Sequence, residues 1–171
     1  KVRRAIPHVT LDILYGWDNF DLMKREPAFK ARVMSHVSQV GINWRGRLNQ
    51  NELAVELPRS AALVYPGPHD FCETYGITFL EAQAAGCVPV TRNNGALPQT
   101  NKHGIIRKND STEDEWVEAI QEALAYSDDA RERMRDWAKT QTWEAVADKI
   151  IAWAIEAEKA SLPAVVEAAA E

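Results

Sequence analysis

The sequence predicts an α/β domain, a parallel β-sheet covered by helices on both faces. Two observations carry the prediction. Short apolar runs of the kind found in strands buried on both faces alternate with longer stretches in which apolar residues recur at helical spacing. Glycines such as Gly41 and Gly86 stand where those helical stretches end and the next apolar run begins. With 171 residues and 46% hydrophobic content, the chain suffices for one domain with a substantial core.

In chain order, Thr10–Gly16 (TLDILYG) is expected to be a buried parallel strand, followed by a polar turn over Asp18–Asp21. Pro27 can start a helix whose apolar face is Phe29, Val33, Met34, Val37 and Val40, ending at Gly41. Ile42–Arg45 is the next strand, turning at Gly46, and Asn49 or Asn51 caps a helix with Leu53, Leu57 and Val55 inward. Ala61–Tyr65, bounded by Pro66 and Gly67, fits a strand buried on both faces. Tyr75–Ala85 places Ile77, Leu80, Ala84 and Ala85 at helical spacing before Gly86, and Val88–Thr91 starts another strand. The stretch RNNGALPQTNKHG is loop-like, punctuated by Asn94–Gly95 and Pro98, and Gly104–Arg107 is a last short strand. Ser111 or Thr112 caps a helix running to Tyr126, and Glu113, Asp114 and Glu115 suit its positive N-terminal end without any need for a metal. Asp128–Lys139 and Thr142–Lys159 complete the helices, with Trp137, Trp143, Ile150, Ile151 and Trp153 as packing anchors. Residues 1–160 form the domain, and 161–171, rich in Ala and Glu, form a flexible tail.

A net charge of −5 and a pI near 5.4 exclude a protein that coats nucleic acid, since Lys1, Arg3 and Arg4 make only a small basic cluster. No apolar run approaches the length of a transmembrane helix and no signal-peptide pattern opens the chain. Two cysteines, Cys72 and Cys87, give neither a disulfide framework nor a zinc site. The expected setting is a reducing cytoplasm. Cys72 has no histidine placed to activate it as a nucleophile.

The chemistry concentrates in Pro66–Thr91, PGPHDFCETYGITFLEAQAAGCVPVT, which reads as strand end, polar loop, helix and short strand. A helix start presents unpaired N–H groups and about half a positive charge, so the amides near Tyr75–Thr78 suit a phosphate or diphosphate, and Gly76 lets the backbone come close. Glu81 lies five residues beyond Gly76, about 7–8 Å along a helix, while Glu73 stands on the other side of the same N-terminus. Each carboxylate would then accept hydrogen bonds from hydroxyls at one end of a docked diphosphate, as a nucleotide sugar requires.

The string ETYGITFLEAQAAGCVPVT resembles the E-x7-E signature of retaining glycosyltransferases with the GT-B fold, most like glycosyltransferase family 4, the glycosyl transferases group 1. The similarity runs from Thr10 to about Trp143 and includes TWEAVADKI. It implies the Rossmann-like C-terminal, donor-binding half of a GT-B enzyme and a hexosyltransferase-type transfer to an acceptor hydroxyl with retention. It also implies a nucleoside diphosphate sugar as donor substrate, no other cofactor and, with no Asp-x-Asp site, metal independence. By the same resemblance Glu73 is the catalytic residue beside the transferred sugar, Glu81 holds the ribose, Ile77 and Thr78 offer amides to the diphosphate, and Leu48 meets the base. Tyr75 and Gly76 belong to the same donor-binding corner.

Two departures qualify the resemblance. The family's first strand, its glycine-rich loop and the following arginine and lysine are not visible, and KVRRAIPHV looks like the end of the helix after that strand. Gln99 replaces the family's more frequent glutamate. The chain is therefore expected to be a fragment, lacking a first strand that would lie between Thr10–Tyr15 and Ala61–Tyr65, lacking the N-terminal acceptor-binding domain, and inactive alone. The alternatives are a non-catalytic nucleotide-sugar-binding module and a GT-B-like nucleotide-sugar epimerase.

Overall fold

A computed structural model describes residues 1–14, 27–67 and 72–161. The elements, in order, are α1 (Val2–Ala5), β1 (Leu11–Ile13), α2 (Pro27–Val37), β2 (Ile42–Trp44), α3 (Gln50–Glu56), β3 (Ala62–Tyr65), α4 (Ile77–Ala85), β4 (Val88–Arg92), α5 (Leu97–Thr100), β5 (Ile105–Arg107), α6 (Glu113–Leu124), α7 (Asp128–Lys139) and α8 (Trp143–Ser161). All strand pairings among the described residues are parallel, as expected of strands joined through helices. The expected turn over 18–21 and the tail from 162 lie outside the described residues.

The strands form two sheets. β1 pairs with β2, placing Leu11 opposite Ile42. A separate sheet runs β3–β4–β5, with Ala62 opposite Val88 and Val90 opposite Ile105. β1 and β3 do not pair with each other.

β4 is the centre of the core because both of its faces are covered. Val88 and Val90, with Ile105, pack against Ala119 and Ala123 of α6 and Met134 of α7. On the other face Cys87, at the entry to β4, packs with Ala82 of α4 and Leu57, which lies in a 3₁₀ turn after α3. This is why VPV reads as an uninterrupted apolar run rather than an alternating one. Arg131, on α7, fastens the layers. Its guanidinium donates to the carbonyls of Ala61 (2.9 Å), Gly86 (2.7 Å) and Ala123 (3.0 Å), joining the starts of β3 and β4 to α6.

Among the described residues, none before Leu57 is buried, which corrects several expectations. Leu11 is 48% exposed, although the first strand was expected to be buried. Met34, Val40 and Val55 are exposed too. The two-stranded β1–β2 sheet offers too little surface to cover these side chains. The anchors proposed for the last helix also differ. Trp143 is 67% and Trp153 65% exposed, and Ile150 and Ile151 stand open, as does every side chain of α8 described after Val146. Trp137 does pack, edge-on against His103 at 5.3 Å. The expected loop after β4 contains α5, whose first turn holds Pro98. No helix among the described residues is long and apolar enough to cross a membrane.

Of the caps the sequence offered, the structure uses Asn49 rather than Asn51 and Thr112 rather than Ser111. Asn49 and Thr112 each accept the backbone N–H of the glutamate three residues on, Glu52 and Glu115, whose carboxylates return a bond to the cap amide. The acidic start of α6 is occupied: Lys1 pairs with Glu113 (3.2 Å) and Asp114 (3.0 Å).

Candidate functional site

The candidate site lies where β3 ends and α4 begins, at the carboxyl edge of a parallel sheet, where open α/β folds commonly bind ligands. α4 starts at Ile77, two residues later than the expected helix, and Gly76 is its N-cap in the left-handed conformation (φ 75°). A Cβ there would stand 2.6 Å from the Phe79 ring and 3.2 Å from Glu73 Cγ. Glycine is needed on both counts. Phe79 is held by Tyr65, the last residue of β3, with ring centroids 5.3 Å apart.

This packing leaves the first amides of α4 open. The Phe79 N–H donates to the Gly76 carbonyl at 3.0 Å, whereas those of Ile77 and Thr78 meet no acceptor among the described residues. Both residues are exposed, at the positive end of the helix.

Glu73 is half-buried beside that end. Its carbonyl accepts the Ala96 N–H at 2.8 Å, which ties the loop before α4 to the loop after β4. The Tyr65 phenol is pushed above its ordinary pKa, first by burial and then by the negative charge of Glu73.

Glu81 sits one turn further along, also half-buried. With Tyr75, Ile77 and Leu80 it lines a cavity of about 200 Å³ closed on the far side by Gln141, Thr142 and Trp143. Tyr75 and Trp143 are nearly parallel there, with centroids 6.1 Å apart. Glu73 does not line this cavity, and Leu48 lines a separate hollow with Arg47 and Asn49. The structure thus brings Glu73, Gly76 and the open amides together, brings Tyr75, Ile77 and Glu81 together on an adjoining face, and leaves Leu48 apart.

The family model of the glycosyl transferases group 1 matches residues 24–141, an interval that holds β2 to β5 and the residues of the corner just described other than Thr142 and Trp143. The chain belongs to this family. No curated protein matches the chain.

For a group 1 glycosyl transferase the corner has a plain chemical capacity. Fixed N–H dipoles stabilise a leaving oxyanion, and the adjacent carboxylate accepts hydrogen bonds from hydroxyls or faces developing positive charge. Among the described residues no group of three or more His, Cys, Asp and Glu side chains is set to hold a metal ion. Sequence reasoning missed two members of the transferase's corner. Tyr65 carried no signal beyond an aromatic at a strand end. The loop at Ala96 carried one: Asn94–Gly95 marks a tight turn, but nothing in a linear string says what that turn touches.

Proposed function

We propose that this domain binds a nucleoside diphosphate sugar and transfers its glycosyl group to an acceptor hydroxyl with retention at the anomeric carbon, as a family 4 enzyme of GT-B architecture. The observation that carries the reading is the pair of amides at Ile77 and Thr78, which meet no acceptor among the described residues, beside the half-buried Glu73. The diphosphate docks on those amides over Gly76. Glu73 faces the transferred hexose, Glu81 and Tyr75 take the ribose side, and Leu48 borders the base.

In the reaction the bond from the anomeric carbon to the diphosphate oxygen breaks, and its electron pair leaves with the oxygen. The acceptor oxygen bonds to the same face of that carbon and gives its proton to the departing diphosphate. The amides stabilise charge that grows on the leaving group, an interaction stronger in the transition state than in the ground state. Glu73 stabilises the cationic sugar ring. The acceptor is held by a second domain, and the transfer uses no divalent cation.

Calorimetric titration of the full-length protein with UDP, GDP and ADP, followed by transfer assays with the matching sugar nucleotides, tests this reading. Binding of one nucleotide, turnover that survives EDTA, and a loss of about a hundredfold or more in kcat for Glu73→Gln are expected. Equal turnover by wild type and Glu73→Gln would overturn it. Binding without transfer in both proteins would instead identify a non-catalytic binding module, and donor epimerisation without acceptor an epimerase.

A further inference from the structure

We infer that Gly95, on the loop between β4 and α5, is a positioning residue for Glu73: its missing side chain lets that loop seat directly against the Cys72–Glu73 backbone. The inference rests on the catalytic reading of Glu73 given above. Gly95 is left-handed (φ 57°), and a Cβ added there would lie 2.7 Å from Cys72 Sγ and closer still to the Glu73 carbonyl oxygen. No real side chain makes such contacts, so substitution must displace the Glu73 backbone or the loop.

The loop is a firm support. Its next residue, Ala96, donates the 2.8 Å bond to the Glu73 carbonyl and is itself the N-cap of α5. α5 is fixed to α4 by the fully buried Gln83, whose Nε2 donates to the Thr100 carbonyl at 2.6 Å and to the Phe79 carbonyl at 2.8 Å. Its Oε1 accepts the His103 N–H at 3.1 Å. Just after α5, the buried Asn101 donates to Thr91 Oγ1 at 2.9 Å and to the Ile105 carbonyl at 3.2 Å, tying the segment to β4 and β5. The chain of contacts therefore runs from the rigid sheet through α5 to Glu73. On its other side Glu73 Cγ rests against Gly76. Glu73 is held between two glycines, one at its backbone and one at its side chain, at a fixed offset from the Ile77 and Thr78 amides. A displacement of about 1 Å at a reacting group can cost a hundredfold in rate, which is what this seating prevents.

Two measurements on the full-length protein test the role. Gly46 supplies a control, because it shares the left-handed backbone (φ 76°) but an added Cβ meets nothing within 4 Å. Labelling of the exposed Cys72 with a chromogenic disulfide reagent is expected to change about threefold or more in Gly95→Ala and less than about 1.5-fold in Gly46→Ala, because thiol reactivity follows local exposure and geometry. With the UDP-, GDP- or ADP-sugar that wild type turns over, Gly95→Ala is expected to lower kcat about tenfold or more with KM within about twofold, and to cause no further loss in a Glu73→Gln background. An equal loss in both backgrounds, or unchanged labelling and kcat, overturns the inference. Should Gly95→Ala fail to fold, Ala96→Pro removes the tethering N–H at a φ of −78° that proline accepts, and the same background comparison decides. If wild type turns over no donor, the transferase reading fails while the labelling comparison still decides whether Gly95 seats the Glu73 segment.

Discussion

Cys87 is fully buried at the entry to β4, and burial pushes its thiol up to about 12. Because the folded value lies above the ordinary 9.0, the stabilisation is complete below pH 9.0 and is lost as the pH climbs towards 12. One such group gives a slope of about 1.4 kcal/mol per pH unit in that window. Urea unfolding of wild type against Cys87→Ala between those pH values should show the slope in the first and its loss in the second. The two thiols thus differ in kind: Cys72 is open to reagents beside the site, while Cys87 is packing. The sequence already placed neither in a disulfide or a metal site, but their contrast follows from β4 having two covered faces.

Thr112 and Gln83 are residues whose effect is felt by whole elements. Thr112→Ala removes the acceptor for the Glu115 N–H at the start of α6 and should lower unfolding free energy by about 1 kcal/mol, read from urea titrations. The Glu115 carboxyl is held below its ordinary value first by the Thr112 backbone N–H and then by its hydroxyl. Its contribution is therefore present above the usual carboxylate range and is lost as the pH falls through the lowered folded value. Thr112→Ala removes the hydroxyl's share of that dependence, so its acid limb should be shallower than that of wild type. Gln83→Leu should cost more, about 2–3 kcal/mol, because it leaves the Thr100 carbonyl and His103 N–H without their partner between α4 and α5. The caps were legible because S/T/N-x-x-E acts within one turn. The Gln83 bridge was not, since it joins positions 17 and 20 residues apart.

At the scale of the molecule, the core is uneven. Every buried residue among those described lies between Leu57 and Ala138, around β4, while β1 and β2 form a separate pair. Amides of β1 and β2 should exchange with solvent at least about a hundredfold faster than those of β4 under native conditions, since local opening there exposes little apolar surface. Comparable protection in both sheets would contradict this account. By itself, the sequence determined the class of fold, the parallel pairing, caps at Asn49 or Asn51 and at Ser111 or Thr112, of which the structure uses Asn49 and Thr112, and a likeness to the glycosyl transferases group 1, whose family model matches residues 24–141. Those properties reside in periodicity, in turns and in local strings, which a linear reading can follow. Only the tertiary structure decided that α8 stands exposed, that Glu81 opens onto Trp143, and that Gly95 presses on Glu73. The reason is physical: burial and contact depend on which surfaces meet across the fold, and a periodic apolar face is the same in sequence whether or not anything covers it.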